Sequence, residues 1–521
     1  MVAAADGQRQ AQTDMSAVLR WWAQPSVLLG LSCFVVHLLV NGRYGVFRDE
    51  LYFIVCGQHP DFGYVDQPPL APLIAGASYA LFGTALLPLR IVPALAMTAT
   101  VSLTALFADA LGGGRFAQWL CGLAVLLAPV FLVDGVILTT DFLQPLSWLG
   151  CSWCLLQLAR TGDERWWIAF GAIVGVSLES KYLIAGYVGA LAIGALATPL
   201  RASLQRPWVY LGAALGLALA APSLIWQAVH GWPFFGLVGA EVNGKNLPLS
   251  PLESFVQQVL FIGPVAAPIW IAGLWRFAVL PRLPQLRVFA LAYAILFCVF
   301  ELVHGKPYFL APLYPTLLAG GAVEIERWLR NPGARTLMIG AIAAAGVVAA
   351  PFALPILPVD EFGAYARALG IKTYAAATER EAQGALPQEL ADMFGWPEMA
   401  AKVTAVYQSL PPAERAKTVF FGRNYGEAAA IDVYGPSLGG PAAISGHNNY
   451  FLWGPKGYDG SVVIALGGDR ARLARLFRRV QVAGQIDSPF AMPYETNLRI
   501  YVLRDPREPL ALIWPSLRHY E

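Results

Sequence analysis

Charge is scarce in this sequence. Only 13% of its 521 residues are Asp, Glu, Lys or Arg, whereas about a quarter of the residues in soluble domains are charged. Apolar residues make up 57% of the chain, and the mean hydropathy is +0.53. The 36 basic and 34 acidic residues nearly balance, which gives no reason to expect a nucleic-acid partner. This composition excludes a set of ordinary soluble domains and predicts a polytopic membrane protein.

Cysteine is also rare, with six residues in the chain. Cys151 and Cys154 form a C-x-x-C pair, but they lie inside the apolar run 142–159 and no second pair accompanies them. We interpret them as small buried residues and not as a metal or redox site.

About eleven apolar runs are long enough to cross a bilayer. They lie near residues 22–41, 87–111, 116–138, 142–159, 166–180, 182–198, 208–229, 255–280, 287–303, 308–325 and 335–356. Arginine recurs in alternate loops, namely those on the same side of the membrane as the N-terminus. The positive-inside rule predicts that these loops are cytoplasmic. The predicted fold is therefore a polytopic α-helical membrane protein with about 11–13 transmembrane helices and an extracytoplasmic C-terminal domain.

These loops also predict the domains and the orientation. We expect residues 1–21 to form a cytoplasmic segment, and residues 22–358 to form the membrane domain, with a first exterior loop at 42–86. Residues 359–521 are expected to lie in the periplasm or outside the cell.

The tail from residue 359 has frequent charges and only short apolar runs. Lys417–Phe421, Ser461–Leu466 and Leu498–Leu503 are typical of strands. Helix-like segments follow the first two, at Glu427–Tyr434 and Asp469–Val480. This alternation predicts a small soluble α/β domain.

Ionisable residues gather at the exterior ends of the predicted spans, where each one indicates a functional position. The group consists of Arg48, Asp49, Glu50, Asp61, Asp66, Asp141, Glu179, Lys181, Glu241, Lys245, Glu301, His304 and Lys306. Carboxylates can deprotonate an acceptor, and Lys or Arg can hold a phosphate. The group therefore predicts a site at the outer membrane–water boundary. The alternative interpretation is that acids such as Asp49 and Glu50 only cap helices at the interface.

Several segments of the chain, in this order, resemble one enzyme family. They are RDELYF, VDQPPLAPLI, LTTDFLQPLSW, SLESKYL and HGKPYFLAPLYPTLLAGGA. The set covers roughly residues 20–330 and is more specific than any single motif. It is similar to the protein O-mannosyltransferases and to the bacterial aminoarabinose–lipid A transferases. Both groups belong to the C-type (GT-C) membrane glycosyltransferases.

The resemblance implies an inverting transferase in a bacterial inner (plasma) membrane. Such an enzyme takes its sugar from a polyprenyl phosphate at the outer leaflet of that membrane. Asp49 is then the base, Glu50 orients acceptor or donor, and Asp141 positions the acceptor or supports Asp49. The implied donor-phosphate contacts are Lys181, Lys306, Arg48, Tyr182, His304 and Tyr308. Asp66, Gln67 and Glu179 are expected to support the substrate site.

The chain departs from the family at Gln67, where relatives often carry a Lys or His before the Pro pair. The phosphate contact is then expected from Lys181 or Lys306. The tail also differs from the β-trefoil of the eukaryotic mannosyltransferases, which favours an envelope lipid, a glycan or another hydroxyl acceptor over a protein.

Two alternatives stay open at the level of sequence. No cofactor is required by the predicted chemistry, although Asp49, Glu50 and Asp141 allow a shared divalent cation. A transporter or flippase of lipid-linked or small solutes is the second function considered. Transport predicts charged groups near the middle of spans, whereas the acids and lysines here are predicted at exterior ends.

Overall fold

The computed structural model describes residues 24–280, 282–371 and 379–520. The predicted cytoplasmic segment 1–21 lies outside the described residues. Helices α1–α16 form the membrane part and the loops at its surface. They are α1 (Pro25–Val40), α2 (Arg48–Gln58), α3 (Leu70–Phe82), α4 (Leu86–Ala110), α5 (Arg115–Leu126), α6 (Pro129–Asp134), α7 (Gln144–Thr161), α8 (Trp166–Leu178), α9 (Leu183–Leu196), α10 (Pro207–Val229), α11 (Pro233–Ala240), α12 (Pro251–Ile262), α13 (Ala267–Val279), α14 (Arg287–Leu302), α15 (Tyr314–Trp328) and α16 (Pro332–Ala349).

Proline breaks several of the predicted spans into shorter helices. Within the described residues, four helices are long and apolar enough to cross a membrane, or up to six if each of two bent pairs is one span. The run predicted at 255–280 is bent by 99° around Gly263-Pro264, because proline lacks the N–H that a continuous helix needs. Four further apolar helices are shorter. This set of helices is that of an integral membrane protein, as the composition predicts.

The region beyond α16 is the predicted α/β domain. Its strands are β1 (Thr418–Gly422), β2 (Ala443–Ser445), β3 (Val462–Leu466), β4 (Phe477–Ile486) and β5 (Leu498–Pro506). Its helices are α17 (Val359–Leu369), α18 (Gln388–Ala391), α19 (Trp396–Ser409), α20 (Pro412–Arg415), α21 (Tyr425–Leu438), α22 (Asn448–Trp453), α23 (Arg470–Leu476) and α24 (Leu510–Ile513). The strands form one sheet in the order β2-β1-β3-β5-β4, in which β1 is parallel to β2 and β3, and β5 is antiparallel to its neighbours.

One prediction for this domain is wrong in part. The helix expected over Asp469–Val480 ends at Leu476, and the chain continues as the edge strand β4. Most side chains of β4 are exposed, so this strand does not need one apolar and one polar face. Its sequence therefore lacks the regular alternation from which a strand could be predicted.

The domain from residue 359 onward, called the exterior domain after its predicted position, packs directly on the loop at 42–86, called the first exterior loop for the same reason. Helix α21 lies against α2, and Leu51 and Ile54 of α2 belong to the same buried apolar cluster as Ala428 and Ile431 of α21. Burial of apolar surface is the main favourable contribution to such contacts. The contact therefore holds the domain in place beside the start of α2, where Arg48, Asp49 and Glu50 are found.

Candidate active site

A cavity of about 870 Å³ lies between the membrane helices and the exterior domain. Most of the predicted site residues line it, namely Arg48, Asp49, Asp66, Gln67, Asp141, Lys181, Tyr182, Lys306 and Tyr308. These residues come from five separate stretches of the chain. The structure thus brings together side chains that the sequence linked by their predicted side of the membrane and by the order of their motifs.

Glu50 does not line this cavity, although the sequence assigns it a role in orienting substrate. Its carboxylate is fully buried and forms a bidentate pair with Arg90 of α4, at 2.9 and 2.8 Å. It also accepts the backbone N–H groups of Phe47 and Leu138, at 2.9 and 3.0 Å. All these bonds point into the protein, so Glu50 holds the start of α2 against α4 and has a structural role here.

Glu179 and His304 are also absent from the cavity wall. The Glu179 carboxylate accepts a hydrogen bond from the Ser223 hydroxyl at 3.0 Å. His304 is exposed, with a φ of 49°, and its carbonyl accepts the Asn246 side-chain amide at 3.0 Å. Neither residue is placed to contact a substrate in this cavity.

Asp49 is held at the cavity wall by the exterior domain. The Tyr425 hydroxyl, at the first turn of α21, donates to Asp49 Oδ1 at 2.7 Å. Arg48 Nε lies 3.7 Å from the same oxygen, and the Asp49 side chain remains 29% exposed. This carboxylate is therefore fixed by a donor on one side and open to the cavity, which is the geometry that a general base needs.

Asp66 is a second acid at the cavity and also belongs to the first exterior loop. Side chains from both domains donate hydrogen bonds to its carboxylate. It accepts the Tyr52 hydroxyl at 3.0 Å and the Asn448 side-chain amide at 3.1 Å. Burial raises the pKa of Asp66 to about 7, although the Tyr52 and Asn448 hydrogen bonds oppose that rise. Asp66 therefore exchanges a proton near neutral pH.

This raised pKa makes stability depend on pH in a defined direction. The folded protein binds the Asp66 proton more tightly than the unfolded chain does, so the stabilisation is complete below about pH 4 and is lost as pH rises through 7. We expect the free energy of unfolding to fall by about 2–3 kcal/mol from this group between pH 5 and 8.

Thermal unfolding of wild type and Asp66→Asn at several pH values measures this effect. The Asn variant should show a flatter profile, and Asp61→Asn, an exposed position in the same loop, is the matched control. If the profiles of wild type and Asp66→Asn are parallel, the assignment of this proton to Asp66 is wrong.

Both predicted phosphate-binding lysines are paired with carboxylates. Lys181 Nζ lies 2.7 Å from Asp141 Oδ2, and Lys306 Nζ lies 2.6 Å from Glu379 Oε1. Burial raises the pKa of Glu379, but Lys306 and Lys245 outweigh it and hold that pKa at about 2. The cations of the site are thus balanced by carboxylates in the absence of any ligand.

The predicted trio Asp49, Glu50 and Asp141 does not form a common set of metal ligands. Glu50 is bonded to Arg90 outside the cavity wall, and Asp141 is bonded to Lys181. Among the residues that the structure describes, no group of three or more His, Cys, Asp or Glu is arranged to hold a metal ion.

Sequence reasoning missed several residues at the site. Tyr425 and Glu379 come from the exterior domain. The sequence predicts a soluble domain there, and nothing in its pattern indicates that these side chains reach the membrane domain. Asp134 also lines the cavity, and its signal was available, since it is a carboxylate inside the apolar run 116–138. Glu241 and Lys245 were not missed, since the sequence places both among the exterior charges. They line the cavity from a π-helical turn, a feature that is frequent at functional sites.

Comparison with known families and structures gives two kinds of match. Residues 66–226 match the family model of dolichyl-phosphate-mannose-protein mannosyltransferases. No curated protein is similar to the chain by sequence.

Solved structures match over nearly the whole chain. ArnT from Cupriavidus metallidurans bound to undecaprenyl phosphate is similar at 18% identity with a TM-score of 0.61, over 92% of this chain and 97% of that one. The apo form of the same protein gives 17% identity and a TM-score of 0.60, over 93% and 98%. An archaeal oligosaccharyltransferase from Archaeoglobus fulgidus matches at 12% identity with a TM-score of 0.46, over 78% of this chain and 63% of that one.

The two ArnT matches confirm the predicted fold class, and nothing in them favours the transporter alternative. The mannosyltransferase pattern lies in the membrane domain, and the ArnT likeness includes the exterior domain as well. The chain is a membrane protein that shares the fold of ArnT.

Proposed function

We propose that this protein is an inverting membrane glycosyltransferase. It moves a sugar from a polyprenyl phosphate to a hydroxyl of an envelope lipid, a glycan or another acceptor. The observation that carries the proposal is one cavity that contains both an open carboxylate, Asp49, and the cations Arg48, Lys181 and Lys306. The fold is shared with an ArnT structure bound to undecaprenyl phosphate, which supports a polyprenyl-phosphate donor.

The chemistry divides between these two groups. Asp49 takes the proton of the acceptor hydroxyl, whose oxygen attacks the anomeric carbon from the face opposite the phosphate. The bond between that carbon and the phosphate oxygen breaks, and polyprenyl phosphate leaves. A phosphate is already a good leaving group, so the leaving side needs charge stabilisation more than protonation. Arg48, Lys181 and Lys306 supply that stabilisation from the cavity wall.

The same cavity has an apolar region that suits a polyprenyl chain. It is formed by residues of α5, α6, α16 and the turn after α16, namely Ala124, Val130, Val133, Ile342, Ala345, Gly346, Ala349 and Phe352. Apolar contacts of this kind orient a lipid without specific hydrogen bonds. The polar and apolar regions together match a donor with a charged phosphate head and a hydrocarbon tail.

The orientation belongs to the same proposal. Arginine in alternate loops favours a cytoplasmic position for those loops. The cavity and the domain at residues 359–521 then lie on the periplasmic or exterior side of a bacterial inner membrane. The acceptor is accordingly an envelope molecule that reaches this side, and no metal is assigned a step in the transfer.

Lipid analysis tests the activity whichever sugar is transferred. Cells that lack the protein are expected to accumulate a polyprenyl-phosphate sugar, which mass spectrometry identifies. The purified protein should then convert that lipid to polyprenyl phosphate in the presence of an envelope extract. Movement of the intact lipid across a vesicle membrane, with no cleavage, would instead support a transporter.

A further inference from the structure

Glu379 is bonded to the lysine that we assign to the donor phosphate. Its Oε1 lies 2.6 Å from Lys306 Nζ and 3.9 Å from Lys245 Nζ, and its Oε2 accepts the Gln388 side-chain amide at 3.2 Å. The Glu379 and Lys306 side chains are only 9% and 7% exposed. Both nevertheless line the cavity, so the ion pair is shielded from bulk solvent but faces the space that a donor would fill.

Backbone contacts attach Glu379 to the membrane domain. Glu379 forms an antiparallel bridge with Asn246, and the Arg380 N–H donates to the Lys245 carbonyl at 2.9 Å. The Arg380 side chain donates to the Asn246 carbonyl at 2.9 Å. The carboxylate is therefore delivered to Lys306 by a short stretch of the exterior domain that pairs with the loop between α11 and α12.

A carboxylate and a phosphate make the same kind of charge-assisted contact with an ammonium group. A buried Lys306 without an anion beside it would carry an uncompensated charge, which is strongly unfavourable. Glu379 supplies that anion in this structure. When a phosphate enters, two anions compete for one ammonium, and their mutual repulsion in a shielded cavity favours the departure of one of them.

We propose that Glu379 is an exchangeable counterion of Lys306, which the donor phosphate displaces, and that its departure loosens the pairing of Glu379 and Arg380 with Lys245 and Asn246. The inference rests on the proposed function, since it takes the polyprenyl phosphate as the displacing ligand. Donor binding is in this way coupled to the contact between the exterior domain and the membrane domain.

Binding of a polyprenyl monophosphate to the purified full-length protein tests the exchange. Glu379→Gln removes the competing charge, so the variant should bind this lipid about tenfold more tightly than wild type. A purely structural role for Glu379 predicts the opposite, because a displaced Lys306 would bind phosphate less well. Equal or weaker binding by a folded Glu379→Gln variant would overturn the proposal.

Two controls connect the effect to Lys306. Glu381→Gln is the matched variant, because Glu381 belongs to the same stretch of chain but is exposed and does not line the cavity, and we expect a change of less than about threefold. In a Lys306→Gln background, Glu379→Gln should improve binding by less than about twofold. A tenfold gain that persists without Lys306 would contradict the assignment.

Hydrogen exchange of the wild-type protein gives a second measurement that needs no variant. The Arg380 amide, which bonds to the Lys245 carbonyl, should exchange faster when polyprenyl monophosphate is added. An unchanged or slower rate in the lipid-bound protein would overturn the inference. A wild-type protein that binds no polyprenyl monophosphate would instead contradict the proposed function itself.

Discussion

Asp49→Asn is expected to lower the rate of sugar transfer by about 10²–10⁴-fold, the usual contribution of a general base. The amide can still accept the Tyr425 hydroxyl, which lies 2.7 Å from the carboxylate in the wild type, so the wall of the cavity should keep its shape. It cannot take the acceptor proton. Formation of polyprenyl phosphate, followed in quenched samples under single-turnover conditions, measures the chemical step separately from product release.

The matched control for this variant is Tyr425→Phe. It removes one hydrogen bond to Asp49 and leaves the carboxylate in place, so we expect a loss of only about tenfold. Binding of polyprenyl monophosphate by Asp49→Asn should change by less than about threefold, because Lys181 and Lys306 are paired with other carboxylates and Arg48 loses only a contact of 3.7 Å. Transfer by Asp49→Asn at the wild-type rate would show that another group, such as Asp66 or Asp141, is the base.

The residues that were predictable belong to short motifs in the membrane domain. Four of them lie near the ends of apolar runs, namely Asp49, Asp141, Lys181 and Lys306. Because the chain has few charged residues, a charged side chain at such a position indicates function. The structure places all four at one cavity. What the sequence could not give is the pairing of Lys181 with Asp141 and of Lys306 with Glu379, because these partners are separated by 40 and 73 residues.

Glu50 illustrates the opposite error. It stands beside Asp49 in the sequence, and the two acids share one motif. Successive residues of a helix do not face the same way, however, since each is rotated by about 100° from the last. Asp49 therefore faces the cavity and Tyr425, whereas Glu50 faces Arg90 in the protein interior. A motif alone does not show which of its two acids meets the substrate.

The exterior domain shows a further limit of sequence reasoning. Its three central strands were predictable from short apolar runs, and β1, β3 and β5 lie where these runs occur. The role of this domain at the cavity was not predictable. Tyr425 follows the short segment Gly422-Arg423-Asn424, whose sequence explains only why α21 starts there. Asn424 caps that helix by accepting the Glu427 N–H at 2.9 Å. Its neighbour Tyr425 reaches Asp49 only because α21 packs on α2.

Glu50→Gln is expected to destabilise the protein strongly, because it leaves the Arg90 guanidinium buried with no counterion. Both side chains are 0% exposed, and removing one partner of such a pair costs about 3–5 kcal/mol. We expect the apparent Tm in detergent to fall by about 5–10 °C. Thermal unfolding followed by circular dichroism or by loss of the monodisperse gel-filtration peak measures the shift.

The double variant Glu50→Gln/Arg90→Gln separates charge from shape. With neither charge present, the penalty for an unpaired buried cation disappears, so the double variant should be more stable than Glu50→Gln alone. Glu361→Gln, an exposed residue in the first turn of α17, should leave Tm within about 1 °C. If Glu50→Gln is as stable as that control, the carboxylate does not hold α2 against α4, and Glu50 regains a direct role toward substrate as the better explanation of its position.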